Sequence, residues 1–202
     1  MGSEIGLAPV EVSARLGVMA AQIIILNGVG SVGKSSTARA VQQICAQPFL
    51  HVAMDAFLDM LPEAMFGHAD GLVFETLDDS GKPSVAIRTG PVMDAAMRGM
   101  RQAIAAMAGQ GNSLIVDDVI IDPADEVAYR ALLAGFEVRF VGLFAPLEVL
   151  EARERARGDR MIGLARWQYG RVHAGRTYDL EIDTSKTTPD QNAILIRDAF
   201  GL

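Results

Sequence analysis

Polar and apolar positions along the chain fall into two recurring patterns. Short unbroken apolar runs, rich in β-branched residues, read as strands buried on both faces, and longer stretches of helical period read as helices laid over them. Gln22-Ile-Ile-Ile-Leu-Asn27 is the first such strand; a helix from Lys34 to Cys45 and a second strand from Phe49 to Met54 follow. Asp55 to Leu61 reads as a short helix stopped at Pro62, and two β-like runs between Leu72 and Arg88 flank Asp78-Asp-Ser-Gly81, a hairpin signal. Pro91 opens a long helix that ends near Ala108, before Gly109 and Gly111. Ser113–Val116, Glu137–Phe144 and Asp179–Asp183 read as the remaining strands. Helices are expected from Pro123 to Gly135, Pro146 to Ala156 and Gly163 to His173, with a terminal one opened by Pro189. Five strands interleaved with helices predict one three-layer α/β domain on a mainly parallel sheet. Residues 1–21, with scattered Gly, Ala and Pro, read as an N-terminal extension with a weak helix from Val10 to Leu16, and the domain proper spans 22–202.

Composition narrows the picture mainly by exclusion. A chain of 202 residues, 50% hydrophobic, buries enough surface to dispense with staples. Cys45 is its single cysteine, which excludes a disulfide framework and a cysteine-built zinc site and fits a small apolar residue in the reducing cytoplasm. His51, His68 and His173 lack zinc-ligand spacing. Eighteen Lys and Arg against 25 Asp and Glu give a net charge of −7, which repels a nucleic-acid backbone. The apolar stretch from Val18 to Leu26 is too short to span a bilayer, and Glu4 and Glu11 stand where a signal peptide carries positive charge. Met1-Gly2 lacks the Ser or Thr at position 6 that myristoylation requires. The expectation is a cytoplasmic protein acting on a small molecule, without nucleic-acid or membrane partners; oligomeric state is left open.

The most informative stretch is Gly28-Val-Gly-Ser-Val-Gly33-Lys34-Ser35, set between a buried strand and a helix. It satisfies G-x-x-x-x-G-K-[ST], in which glycines let backbone N–H groups turn inward around phosphate oxygens at a helix N-terminus. Gly28, Gly30, Ser31, Val32, Gly33, Lys34, Ser35 and Ser36 are therefore the expected nucleotide contacts. Lys34 is expected to reach the β- and γ-phosphates, with the Ser35 hydroxyl at a Mg²⁺ position. Gly28, Gly30 and Gly33 also satisfy the dinucleotide pattern G-x-G-x-x-G, with Asp55 where its ribose-binding acid would stand. Lys34-Ser35 separates the two readings, because a dinucleotide fold needs neither side chain there.

Carboxylates and arginines extend the expected site. Asp117 and Asp118 directly follow the strand Leu114–Val116, where a carboxylate supports Mg²⁺, and spacing does not choose between them. Asp55, at the end of the second strand and expected beside the first, is placed to orient an acceptor hydroxyl for in-line attack; the alternative is that it N-caps the following helix. Arg153, Arg157 and Arg160 share one helical face up to Gly158-Asp159, which reads as a lid turn. Arg157 and Arg160 are the expected charge-neutralising pair. Arg153 and Arg155 read as solvated partners of Glu151 and Glu154. Met54, Met60, Met65, Phe57, Phe66 and Phe74 make the Asp55–Arg88 stretch suited to an apolar acceptor.

Ile23-Ile-Ile-Leu-Asn-Gly28, the phosphate loop, Met54-Asp55, Leu61-Pro62, Gly90-Pro91, Ile115-Val-Asp-Asp-Val119 and Ala156-Arg-Gly-Asp-Arg160 occur here in the order seen in chloramphenicol phosphotransferase-like proteins. Tyr178-Asp179 and Asp183-Thr184 resemble that family too, so the resemblance covers about residues 22–200. It implies a P-loop kinase fold with an arginine-containing lid at about 155–165 and an acceptor-side insertion at about 62–90. The implied activity is ATP- and Mg²⁺-dependent phosphorylation of a hydroxyl on a small, antibiotic-like acceptor. By the same resemblance Asp55 is the base, Lys34 and Ser35 serve nucleotide and metal, and Arg157 and Arg160 form the lid. Ser31-Val32 departs conservatively from the family's usual Ser-Ala, and Met65–Thr89 departs more, so chloramphenicol does not follow as the acceptor. The alternatives are a kinase of a nucleotide, a shikimate-like metabolite or a zeta-toxin-type nucleotide-sugar, and a nucleotide-dependent switch with no acceptor.

Overall fold

The computed structural model describes residues 21–79, 81–158 and 161–202. The expected helix at Val10–Leu16, the hairpin tip at Ser80, and Asp159 and Arg160 of the expected lid lie outside the described residues. In chain order the elements are β1 (Gln22–Asn27), α1 (Lys34–Ile44), β2 (Phe49–Ala53), α2 (Met54–Leu58), β3 (Leu72–Asp79), β4 (Lys82–Thr89) and α3 (Pro91–Gly109). Then come β5 (Ser113–Asp118), α4 (Pro123–Leu132), β6 (Glu137–Phe144), α5 (Leu147–Arg157), α6 (Leu164–Tyr169), β7 (Leu180–Asp183) and α7 (Pro189–Phe200). Among the described residues no helix is long and apolar enough to cross a membrane.

Five strands form one sheet in the order β2-β5-β1-β6-β7, every neighbouring pair parallel. The sequence places β2 beside β1; instead β5 lies between them. Burial explains the order. All six positions of β5 are buried and β1 is nearly so, which suits the centre, whereas β2 exposes Leu50 and stays at the edge. Alternate residues of β1 face opposite layers. Ile24 and Leu26 pack in the core that includes Val41 of α1, Leu150 of α5 and Ile196 of α7. Ile23 and Ile25 join Met100 and Ile104 of α3 and Tyr129 of α4 on the other side. Ser113 fixes the start of β5, its Oγ accepting from the Gln22 N–H at 3.1 Å and from Gln47 Nε2 at 2.9 Å.

β3 and β4 form the separate antiparallel hairpin that the Asp-Asp-Ser-Gly signal predicts. It carries a small apolar cluster in which Leu61, Leu72 and Met93 are buried beside Leu58, Met65 and Phe74. Three helices end well short of their expected ends, α4 stopping at Leu132 before Gly135. α2 ends at Leu58 rather than Leu61, and α6 ends at Tyr169, leaving His173 in a loop stacked on Phe144 with ring centroids 3.9 Å apart.

Candidate active site

The expected phosphate loop leaves the C-terminal end of β1, the strand from which the sheet is laid down in both directions; open α/β sheets bind ligands at such a switch point. Asn27 anchors its root. The Asn27 Oδ1 accepts the Ile120 N–H at 2.8 Å, and Nδ2 donates to the Val172 carbonyl at 3.1 Å and to the Tyr178 hydroxyl at 2.8 Å. Ser31 (φ 64°) and Gly33 (φ 104°) adopt left-handed backbone, which turns the chain into α1. Gly33 caps α1 without a side-chain bond, so the first N–H groups of the helix face the loop. The buried Lys34 Nζ curls back over the loop, donating to the Gly28 carbonyl at 2.9 Å and the Val29 carbonyl at 3.3 Å. It also lies 3.9 Å from Asp117 Oδ1.

Leu26 and Ala53 stand opposite Asp117 on its two sides, so the ends of β1, β5 and β2 reach one level. Strand alternation then separates the paired acids. Asp117 turns to the loop, where the Ser35 hydroxyl donates to its Oδ2 at 2.5 Å. His51 Nε2, buried and without a hydrogen-bond partner among the described residues, lies 3.6 Å from the same oxygen. Burial pushes the Asp117 carboxyl up, but His51, Lys34 and the Ser35 hydroxyl outweigh it and hold it below its ordinary value. Asp118 turns to the opposite layer, accepting from the Tyr129 hydroxyl and the Val119 N–H, each at 2.7 Å. Burial raises its pKa despite those bonds. Of the two acids expected at the metal, Asp117 is brought to Ser35 and Asp118 is not.

Asp55 is half-buried in the first turn of α2, just past the edge strand. The helix begins one residue earlier than expected and its N-cap is Ala53, with no side-chain bond, so Asp55 does not serve as the cap. Beside the loop opens a cleft of about 440 Å³ lined by Ser31, Gly33, Ser36, Arg157 and Asn192 among others. Arg157 reaches it from the last turn of α5. Arg160 lies outside the described residues.

Comparison with known proteins places the chain. The profile of chloramphenicol phosphotransferase-like proteins matches residues 21–201. The chain belongs to that family. This phosphotransferase is 30% identical over 195 residues to two Mycobacterium tuberculosis proteins, from strains CDC 1551 and H37Rv, each named "putative O-phosphotransferase"; the match covers 94% of this chain and 87% of theirs. Its fold is that of P-loop kinases. The APS kinase of M. tuberculosis, solved with AMPPNP and APS, superposes with a TM-score of 0.65 at 16% identity over 91% of this chain and 99% of that one. A gluconokinase from Sinorhizobium meliloti gives 0.59 at 19% identity over 90% and 95%. Family and fold together make the protein an enzyme of the P-loop phosphotransferase class.

Several residues that brace the phosphotransferase site escaped the sequence reading. Arg153 is not a solvated partner of the α5 acids. Its guanidinium donates to the Val32 carbonyl at 3.3 Å and to the Thr184 hydroxyl and carbonyl at 3.0 and 2.7 Å, tying the loop to the end of β7. Glu154 is buried, not exposed; its two oxygens accept the Gly163 and Ala165 N–H groups at 2.8 and 2.9 Å and cap the start of α6. The buried Gln168 accepts the Gly30 N–H at 2.7 Å. The Arg153–Glu154 pair could have been separated by helical phase, since adjacent residues cannot share one face. Gln168 carried no signal, because its partner lies 138 residues away.

Proposed function

We propose that the protein transfers the γ-phosphate of ATP to a hydroxyl of a small neutral acceptor, a chloramphenicol-like antibiotic being the foremost candidate. The observation that carries this reading is the cluster of Lys34 and Ser35 with Asp117 at the end of β5, and Asp55 in the first turn of α2 just past the neighbouring strand β2. Triphosphate binding falls to the loop amides and Lys34, and the cleft beside Arg157 takes the nucleoside. Mg²⁺ in kinases is held by few protein oxygens because phosphates and water supply the rest, and the adjacent Ser35 hydroxyl and ionised Asp117 carboxylate fit that demand. Bound there, Mg²⁺ would neutralise charge on the β- and γ-phosphates.

Asp55 accepts a hydrogen bond from the acceptor hydroxyl and aims it in line. Phosphoryl transfer is largely a matter of positioning and charge stabilisation, so orientation supplies much of the effect. Residues 155–165, with Arg157 and Arg160, close as a lid that excludes water. The segment 62–90 forms the acceptor wall. A neutral acceptor is favoured because two of the four basic residues from Lys82 to Arg101 are paired with acids: Arg88 with Glu75 at 2.5 Å and Arg101 with Asp125 at 2.9 Å. The wall itself is apolar, with Met65, Phe74 and Met97 packed around Leu61 and Met93.

The test is Mg²⁺-dependent ATP consumption across a panel of neutral hydroxylated antibiotics that includes chloramphenicol, with wild type and Asp55→Ala. Stimulation by one compound, lost in the variant, is the expected result. ATP binding without stimulation by any compound overturns the neutral-acceptor assignment, and absence of ATP binding overturns the whole reading.

A further inference from the structure

α6 is held at both ends by different parts of the molecule. At its start, the Gly163 carbonyl accepts the Val85 N–H of the hairpin at 3.0 Å, while the Gly163 N–H is held by Glu154. Packing there is close enough that a Cβ on Gly163 would lie 2.7 Å from the Pro83 carbonyl oxygen. Arg166 bridges Glu151 of α5 and, at 3.7 Å, Asp79 near the hairpin tip. At the other end, Gln168 accepts the Gly30 N–H, and its own carbonyl takes the Arg171 and Val172 N–H groups. The Val172 carbonyl in turn accepts from Asn27 at the root of the phosphate loop. One short helix therefore links the acceptor-side hairpin to a backbone amide of the loop.

We propose that Gln168 is a positioning residue that fixes the Gly30 amide and makes the loop's grip on nucleotide depend on how the hairpin is seated on α6. The proposal rests on the reading of the loop as an ATP site. A peptide whose N–H is held by a buried acceptor is pre-oriented before the ligand arrives, and pre-orientation raises affinity by reducing the ordering that binding requires. Releasing Gly30 frees the peptide beside Ser31, which already sits in left-handed backbone. Because α6 also carries the Gly163 and Arg166 contacts, movement of the hairpin is transmitted to that peptide.

A double-mutant cycle with a fluorescent ATP analogue tests this, using wild type, Gln168→Met, Arg166→Met and the double variant. Gln168→Met keeps side-chain bulk and removes the acceptor. It is expected to weaken binding about tenfold, the scale of losing a buried acceptor opposite an amide. Arg166→Met, remote from the loop, is expected to weaken it about threefold in wild type, as a partly buried ion-pair loss does, and not at all in the Gln168→Met background. Hydrogen exchange with both proteins saturated by the analogue gives a second readout: bound analogue should slow exchange at Val85 in wild type and leave it unchanged in Gln168→Met. Additive losses, or Val85 exchange that responds equally in both proteins, overturn the coupling while leaving the ATP site intact. An analogue that fails to bind wild type overturns the ATP site itself.

Discussion

At the scale of single residues, two adjacent aspartates illustrate how alternation along a strand assigns opposite chemistry to one residue type. Asp117, held below its ordinary pKa, adds stability above the ordinary carboxylate range and loses it as pH falls through its lowered value. Asp118 is shifted the other way, so its contribution is complete at acid pH and declines as pH rises through its raised value. Tyr129→Phe removes the hydroxyl that donates to Asp118 and leaves a buried carboxylate oxygen without that donor. We expect a loss of about 1–3 kcal/mol at pH 7 by chemical denaturation. The deficit should shrink as pH falls, because a carboxyl whose pKa burial has raised takes up a proton more readily and then has less need of a donor. A deficit that does not vary with pH would mean that the hydroxyl serves packing alone.

At the scale of elements, Glu154 decides how α5 and α6 join. Its carboxylate satisfies two N–H groups at the start of a six-residue helix that has no side-chain cap at Gly163. Glu154→Ala should cost about 2–4 kcal/mol, from two buried donors left unpaired. It should also speed tryptic cleavage after Arg157 in limited proteolysis, whereas Glu154→Gln, which keeps one oxygen, should fall between. The central strands β1 and β5 were legible from sequence because their apolar runs are unbroken, and the loop because its chemistry demands a fixed spacing. The order of strands was not, since β2 and β5 differ in how completely they are buried rather than in apolar type. The braces were hidden for a related reason: Arg153, Glu154 and Gln168 are polar residues on helices, and their partners come from distant turns of the chain.

At the scale of the whole molecule, the loop, α6 and the hairpin belong to one connected framework, so ligand binding should be felt globally. A ligand that binds only the folded state at one hundred times its dissociation constant adds about 2.7 kcal/mol, which for a chain of this size raises Tm by about 5–10 °C. We expect ATP with Mg²⁺ to produce that shift, and Lys34→Met, which removes the ammonium bonded over the loop, to abolish most of it. An equal shift in the variant would place the nucleotide elsewhere. The framework beneath the loop is itself polar and fixed. Tyr178 accepts from Asn27 and lies 2.8 Å from His173 Nδ1, and burial holds the imidazole down to about 4, so it is neutral near pH 7.

The tandem acids at the end of β5 also bear on how the strand finds its alignment during folding. A strand buried at all six positions has no wet face to penalise a one-residue slip. Sliding one way would seat Asp118 before Ser35 and press Val119 against the Tyr129 hydroxyl; sliding the other way would seat Asp117 against Tyr129 and set Val116 before Ser35. Either error satisfies one polar partner and starves the other, and it also draws Ser113 out from between Gln22 and Gln47. Only the native alignment serves both faces at once, so the doubled aspartate works as a two-sided key, and the buried acid decides which carboxylate reaches the loop.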